Sequence, residues 1–325
     1  MRLLRLSFSP RAVRLVALAA VISYAVLVVT GGAVRLTGSG LGCPDWPSCY
    51  QHRLTAAASF HPMVEFLNRL VTVTVTVISV VAYLMALGRR PRRRDITWLS
   101  FGLILGLVAQ IVLGGLVVLF KLNPYLVSLH FVLTFAVLVT AIAMYHRAGV
   151  DDEVADRRPT AAVSSDLVWL VRLLVSVLAL VTVLGTVVTG AGPHAGAPGA
   201  KRFPIAFRDI AEAHASIAWL LLGTTAAALF AFYHAKAPEP VWRRLRIFFE
   251  LAVLQGALGY TQYFLHDAAA VVEVHLAGVT ALWIAASGLY LSLHAHPSLP
   301  AQGSGAADLH DDLAETVAPA GVGSQ

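Results

Sequence analysis

Eight long apolar runs limit what this sequence can fold into. Hydrophobic residues make up 58% of its 325 residues and charged residues only 13%, which is too little polar surface for a water-soluble protein. An α-helix rises about 1.5 Å per residue, so each run can cross roughly 30 Å of hydrocarbon. The sequence therefore predicts an all-α integral membrane protein with eight transmembrane helices, near residues 15–34, 64–87, 97–120, 125–146, 167–190, 209–233, 247–264 and 269–293.

The two halves of the chain also share a repeat. A glutamine, a glycine four residues later and a histidine 20 residues after the glutamine occur as Gln110, Gly114 and His130 and again as Gln255, Gly259 and His275. Fixed spacing of this kind indicates an internal duplication. Four helices per half give both halves the same orientation, so we predict two tandem four-helix bundles. The predicted parts are an N-terminal half (1–147), a cytoplasmic linker (148–166), a C-terminal half (167–295) and a disordered cytoplasmic tail (296–325).

The distribution of basic residues predicts the orientation. Cytoplasmic loops of membrane proteins are rich in arginine and lysine, and most of these residues fall on one side of the predicted helices. Both termini are therefore expected in the cytoplasm, and the net charge of +6 reflects this topology rather than a nucleic-acid partner. The residues on that side are Arg2, Arg5, Arg11, Arg14, Arg89, Arg90, Arg92, Arg93, Arg94, Lys236, Arg243, Arg244 and Arg246.

Both cysteines lie in the first loop on the opposite, outer side. Cys43 and Cys49 are six residues apart in a segment rich in glycine and proline. Thiols outside the cytoplasm tend to oxidise, so we expect a disulfide between them. Such a bond either orders the loop, takes part in redox chemistry or caps a site. Two cysteines alone cannot complete a metal site.

Four ligand-type side chains fall at one depth in the apolar helices. Asn68, His130, His214 and His275 each lie about four to six residues inward from the outer end of helix two, four, six or eight. A polar residue in a membrane span marks a candidate functional site, although a lone histidine often makes only an interhelical contact. Two histidines from different helices, without a third histidine or an acidic cluster, suit a haem better than zinc. His214 and His275 would face each other, with Asn68 and His130 as their equivalents.

Glu65 breaks the symmetry between the halves. It lies three residues before Asn68 and shares its helix face, whereas the second half has Ala211 at the equivalent position. A carboxylate beside only one of the two sites suggests that chemistry takes place there. Two alternatives stay open: an ion pair of Glu65 with Arg69 or Arg35, and pairing of these arginines with carboxylates of a bound macrocycle.

Together these residues resemble the haem A synthase family over about residues 13–295. The specific part is the outer loop, Gly31-Gly-Ala-Val-Arg-Leu-Thr-Gly-Ser-Gly-Leu-Gly-Cys-Pro-Asp-Trp-Pro47. Two further motifs and the histidines of helices four, six and eight complete the resemblance. They are Glu65-x-x-Asn68-Arg69, Gly192-Pro193-His194, His130, His214 and His275.

The resemblance implies a membrane oxidoreductase that converts haem O to haem A for aa3-type cytochrome oxidase. One ring methyl group is oxidised through the alcohol to a formyl group. The second half would hold the iron of a haem b between His214 and His275 as an electron relay. The first half would hold the substrate haem with His130 on its iron, and Glu65 corresponds to the family's essential glutamate.

The resemblance also implies where the protein works and with what. Asn68, Arg69 and Arg35 complete the expected substrate-haem site, and both haem sites lie toward the outer face of the cell membrane. The cysteine pair matches a pair found in one subset of the family. Haem O synthase would deliver the substrate. The electron donor, the oxygen source and a homo-oligomeric state are left open.

One position departs from the family pattern. Many members carry histidine where this chain has Asn68, and a carboxamide is a poor iron ligand. We hypothesise that His130 alone holds the substrate iron, which leaves one face open for oxygen chemistry. The helices and histidines alone also fit a dihaem b-type electron-transfer cytochrome without methyl oxidation, or a haem or ion transporter. Glu65 beside one centre disfavours the cytochrome, and ligands near one face without helix breaks disfavour the transporter.

Overall fold

The computed structural model describes residues 7–50 and 53–295 and is almost entirely helical. Two short strands, β1 (Thr160–Ala161) and β2 (His294–Ala295), pair antiparallel. The predicted tail at 296–325 lies outside the described residues, as do Arg2 and Arg5. Within the described residues there are eight helices, as predicted: α1 (Pro10–Leu36), α2 (Phe60–Gly88), α3 (Arg94–Leu119), α4 (Pro124–Ala148), α5 (Ser165–Ala191), α6 (Phe207–His234), α7 (Glu239–Phe264) and α8 (Ala269–Ser292).

Proline and small polar caps set two of the helix starts. Ser9 precedes Pro10, and its Oγ accepts a hydrogen bond from the Ala12 N–H at 3.2 Å. Asn123 acts in the same way before α4, where its Oδ1 accepts from the Tyr125 N–H at 3.0 Å. Each cap satisfies a backbone donor that the first helical turn leaves without a partner. These caps fix where α1 and α4 enter the apolar region.

Seven of the eight described helices are long and apolar enough to cross a membrane. The helix that does not meet this criterion is α7, whose first two turns carry Arg243, Arg244 and Arg246. The apolar run at 247–264 is therefore only the second part of a helix that begins at Glu239. A multi-pass membrane protein results, with a charged entry to α7.

The helices pack around two apolar cores. One core is formed by α1, α2, α3 and α4, and the other by α5, α6, α7 and α8. Because α8 also packs against α1 and α4, and α4 against α5, the two cores meet at a shared junction. There the Trp283 ring stacks on Phe135 with centroids 5.6 Å apart, and Trp283 Nε1 donates to Thr182 Oγ1 at 3.0 Å.

One end of the helices brings loops of both halves together. The backbone N–H of Gly40 donates to Gly196 O at 2.8 Å, and His194 Nε2 lies 2.7 Å from Asp267 O. Leu122 packs beside both of these glycines. We call this the disulfide end, and it comprises loop residues 37–50 and 53–59, turn 120–123, loop 192–206 and turn 265–268.

At the opposite end, two arginines of the predicted basic loop are buried. Arg89 is 1% exposed, and its Nη2 lies 2.7 Å from Asp152 Oδ1. Arg93 reaches the same oxygen at 3.2 Å and Asp95 Oδ2 at 2.8 Å. Burial alone would lower the pKa of Arg93, but the hydrogen bonds and charges of Asp95 and Asp152 raise it. Asp152 therefore ties the predicted linker at 148–166 to the connection between α2 and α3.

Removing the shared carboxylate should destabilise the protein. Asp152→Asn leaves two buried guanidinium groups short of negative charge, and breaking a buried pair costs on the order of 3 kcal/mol. We expect the Tm of the detergent-solubilised protein to fall by roughly 5–10 °C in scanning fluorimetry. Asp156→Asn is the control, since Asp156 is exposed in the same segment. Equal Tm values for the two variants would contradict a structural role for Asp152.

Candidate functional site

The loop that contains both cysteines lies against the first half at the disulfide end. The sulfur atoms of Cys43 and Cys49 are bonded, as the sequence predicts, and both residues are buried. Gly42 lies so close to the backbone of His61 and Pro62 that a Cβ atom would not fit. The disulfide loop is therefore pressed onto the start of α2.

Glu65 of α2 lies beneath this loop and is only 5% exposed. Its Oε2 accepts a hydrogen bond from the Cys43 N–H at 2.7 Å, and its Oε1 accepts from Arg69 Nη2 at 2.7 Å. Of the ion pairs considered from the sequence, the pair with Arg69 is therefore present, and one with Arg35 is absent from the described part of the chain. Charge-assisted bonds on both oxygens fix the orientation of the carboxylate.

Arg69 holds the loop as well as Glu65. Its Nη1 donates to Ser48 O at 2.9 Å, and its Nη2 donates to Cys43 O at 3.1 Å. Between these residues, the Trp46 ring packs on α3, where a Cβ on Gly115 would lie 2.7 Å from the indole. The disulfide loop thus packs against both α2 and α3 and covers Glu65.

Asn68 lies one turn from Glu65 and contacts α1. Its Oδ1 accepts a hydrogen bond from Thr30 Oγ1 at 2.8 Å. The oxygen is the acceptor atom of a carboxamide, and here Thr30 already engages it. The Asn68 carboxamide is therefore tied to α1. The sequence analysis did not single out Thr30.

The repeated spacing in the sequence corresponds to a repeated geometry. In the first half, Gln110 Nε2 donates to His130 O at 3.1 Å. The His130 ring lies against α3, where a Cβ on Gly114 would be 3.4 Å from His130 Cε1. The glutamine therefore fixes the turn that carries the histidine, and the glycine leaves room for its ring.

The second half shows the same arrangement between α7 and α8. Gln255 Nε2 donates to His275 O at 2.9 Å, and a Cβ on Gly259 would lie 3.6 Å from His275 Cε1. Gly278 leaves room for the Gln255 amide, since a Cβ there would be 2.7 Å from Gln255 Nε2. His130 and His275 thus occupy equivalent positions in the two halves.

His214 lies on α6 and packs against α5. A Cβ on Gly185 would be 3.2 Å from His214 Cε1, so this glycine makes space for the ring. Gly185 was missed in the sequence, where its only signal is a glycine inside an apolar run.

The three site histidines share a packing feature: each ring lies against a glycine of the neighbouring helix, Gly114 for His130, Gly185 for His214 and Gly259 for His275. The Nδ1 atoms of His130 and His275 are buried without a hydrogen-bond partner among the described residues. Among the described residues, no group of three or more His, Cys, Asp or Glu side chains could hold a metal ion. Paired imidazoles in apolar surroundings, each beside a glycine, suit the axial positions of a haem.

Arg35 of α1 reaches into the second half. Its Nε donates to His194 O at 2.8 Å, and its Nη2 donates to Thr189 O at 3.0 Å. His194 in turn contacts Asp267 in the turn between α7 and α8. The Gly192-Pro193-His194 motif therefore fastens α1, α5 and that turn to one another.

Glu273 of α8 is a half-buried acidic residue that the sequence analysis missed. Both of its carboxylate oxygens are buried without a hydrogen-bond partner in residues 7–50 and 53–295. It faces α1, where a Cβ on Gly32 would lie 2.9 Å from its Oε2. Two residues turn a helix by about 200°, so Glu273 and His275 project from opposite sides of α8.

Comparison with known proteins agrees with these features. Curated relatives named heme A synthase match over part of the chain. The protein of Geobacillus thermodenitrificans is 38% identical over 112 residues, which are 34% of this chain and 35% of the relative. The matches are 36% over 106 residues in Geobacillus kaustophilus (32% of this chain, 33% of the relative) and 29% over 129 residues in Exiguobacterium sibiricum (38% and 43%). The chain therefore spans well under half the length of these relatives. The family model COX15-CtaA, described as cytochrome oxidase assembly protein, matches residues 14–287. Because that match covers most of the chain, this protein belongs to the cytochrome oxidase assembly protein family.

Proposed function

We propose that this protein is a haem A synthase. It would oxidise one methyl group of haem O, through the alcohol, to the formyl group of haem A for aa3-type cytochrome oxidase. The observation that carries the proposal is the buried Glu65 carboxylate, fixed by Arg69 and by the disulfide loop. Membership of a cytochrome oxidase assembly family and similarity to proteins named heme A synthase support it.

The second half would hold a haem b through His214 and His275. Support comes from Gly185 and Gly259, which leave space beside the two rings. When bound, the haem would supply one-electron transfer. The Gln255 amide bond to the His275 carbonyl keeps this part of α8 in place.

The first half would bind the substrate, haem O, with His130 as the ligand of its iron. His130 has the same glutamine and glycine contacts as His275, which supports an equivalent role. Asn68 is engaged by Thr30 and would leave the other face of the substrate iron open. Arg69 and Arg35 would meet carboxylates of bound haem, because guanidinium groups pair with them in two-point contacts.

Glu65 would act at the methyl group that is oxidised. Oxidation of a methyl group releases protons, and a positioned carboxylate is a suitable acceptor. A carboxylate also stabilises positive charge that develops on the reacting carbon. The bonds from Cys43 and Arg69 hold Glu65 in one orientation. Among the roles left open for the disulfide, ordering of this loop has the most support.

We also propose an arrangement in the membrane. The halves 1–147 and 167–295 would be tandem four-helix bundles joined by 148–166, and all eight helices would cross the cell membrane. The two apolar cores support this division. The basic end would face the cytoplasm with both termini, and the disulfide end would face outward, where disulfides persist. Haem O synthase would supply the substrate.

A dihaem electron-transfer cytochrome is the weaker alternative. It would need two similar iron sites. The two halves differ at one equivalent position, which holds Asn68 in the first half and His214 in the second. The buried Glu65–Arg69 pair of α2 has only an exposed counterpart on α6, between Arg208 and Glu212. This asymmetry favours one reaction site and one relay site.

Loss of the Glu65 carboxylate should abolish haem A formation. We expect Glu65→Ala to lower haem A and its alcohol precursor by about 10²-fold or more, because a catalytic base contributes on that scale. The measurement is chromatography of haems extracted from membranes that contain this chain and a source of haem O. Glu212→Ala is the matched control, since Glu212 pairs one turn away with Arg208 but is 62% exposed. Unchanged haem A in Glu65→Ala would contradict the proposed role.

Removal of His214 should remove the resident haem. We expect His214→Ala to lose the low-spin haem b absorption of the purified protein, because one of its two axial ligands is absent. His234→Ala, at the exposed end of the same helix, should keep the spectrum of the wild type. A normal haem b spectrum in His214→Ala would exclude His214 as a ligand.

Introduction of a histidine at Asn68 should change the first-half haem. We expect Asn68→His to give a low-spin haem that is bound more tightly, because the iron gains a second imidazole. Optical and electron paramagnetic resonance spectra would report this change. Thr30→Val is the control, since it removes the bond to Asn68 without adding a ligand. An unchanged spectrum in Asn68→His would contradict the expected position of residue 68.

A further inference from the structure

Arg35 carries a positive charge that the described part of the protein does not neutralise. Its side chain is half-buried, and its hydrogen-bond partners among the described residues are two backbone carbonyls, those of His194 and Thr189. No carboxylate of the described residues lies within ion-pair distance of Arg35. Glu273, one turn inward beside Gly32, makes no pair with it either. Buried charges in proteins are usually paired, so Arg35 is suited to an anionic ligand.

A second arginine lines the same cleft. Arg202 is exposed, and its Nη2 donates to Pro193 O at 3.2 Å. The cleft has a volume of about 450 Å³, lies at the disulfide end between α1 and loop 192–206, and has no acidic side chain in its lining. Both guanidinium groups keep N–H donors that the backbone carbonyls do not use. The cleft is therefore a place where carboxylate oxygens could be bound by two cations.

The cleft lies next to α5 of the second half, near the level of His214. Thr189 and Gly185 are four residues apart on α5 and share a face. Arg35 donates to Thr189 O, and the His214 ring lies against Gly185. The guanidinium group of Arg35 therefore lies about one helical turn, roughly 6 Å, toward the disulfide end from the level of His214.

We propose that Arg35 and Arg202 bind the propionate carboxylates of the haem b held by His214 and His275. The first half would then complete the haem site of the second half through the last turn of α1. This inference rests on the proposed function, and it moves Arg35 from the substrate haem to haem b. It also explains why Arg35 is fastened to carbonyls of α5 and of the His194 loop rather than to Glu65.

The test measures retention of haem b by the full-length protein, purified from cells that make no haem O. Excess apomyoglobin takes up haem as it is released, and the rate is compared among wild type, Arg35→Gln, Arg202→Gln and Arg35→Lys. We expect both glutamine variants to release haem b about tenfold faster, since each loses a charge-assisted contact. Lys201→Gln is the control, because Lys201 is exposed next to Arg202 and does not line the cleft.

The midpoint potential of the haem separates an electrostatic role from a purely structural one. Loss of a positive charge near the haem stabilises the oxidised iron relative to the reduced iron. We therefore expect a lower midpoint potential in Arg35→Gln and in Arg202→Gln. Arg35→Lys keeps the charge and should retain the wild-type potential. Arg202→Gln keeps the test valid even where Arg35→Gln fails to fold, because Arg202 is exposed.

Three outcomes would overturn the proposal. The first is an unchanged rate of haem b release and an unchanged midpoint potential in both glutamine variants. In that case, loss of phosphate binding in Arg202→Gln would assign the cleft to a free anion. Normal haem b retention with weaker haem O binding would return Arg35 to the substrate haem. Wild-type protein without any haem b would refute the proposed relay site itself, which distinguishes that failure from a failure of the arginine assignment.

Discussion

Polar groups between apolar helices must find partners inside the protein, because neither lipid nor apolar side chains form hydrogen bonds. Hydroxyl groups do so within their own helix, as when Thr182 Oγ1 donates to Leu178 O at 2.8 Å. Gln110 and Gln255 donate to backbone carbonyls of the next helix. Among the described residues, the atoms left without a partner include the Nδ1 atoms of His130 and His275. The Oε1 atoms of Gln110 and Gln255 have no partner there either, so these glutamines hold the fold through their N–H donors alone.

The loops at the disulfide end meet the same requirement with arginine. Arg69 joins α2 to carbonyls of the disulfide loop, and Arg35 joins α1 to carbonyls of the second half. Each guanidinium group satisfies several carbonyl oxygens at once, which a lysine could not do with the same planar geometry. The two arginines differ in charge balance, because Arg69 has Glu65 as a partner, whereas the partners of Arg35 among the described residues are backbone carbonyls. Glu65 therefore neutralises the charge of Arg69, and no carboxylate in the described part of the chain does the same for Arg35.

The two halves share one arrangement of polar residues and differ in another. His130 and His275 keep the same contacts with a glutamine and a glycine, so one ligand position is common to both halves. The opposite position has diverged, since His214 lies against Gly185 whereas Asn68 is bonded to Thr30. A site with two imidazoles suits a resident cofactor, and a site with one suits a substrate that must enter and leave.

Much of this protein follows from the sequence alone. Hydropathy identified the eight helices, although α7 extends into a charged segment that the apolar run does not include. The spacing of the repeat located His130 and His275, and two nearby cysteines in an outer loop predicted the disulfide that the structure contains. These signals are local, because helix formation and short-range cross-links depend on residues that are close in the chain.

The tertiary structure decided which side chains meet. The bond from Thr30 to Asn68 joins residues 38 apart, and that from Arg35 to His194 joins residues 159 apart. The burial of Glu273 beside α1 likewise depends on a neighbour from the other half of the chain. Hydropathy does not encode such pairs, because the partner of a buried polar group is set by how distant helices pack against one another.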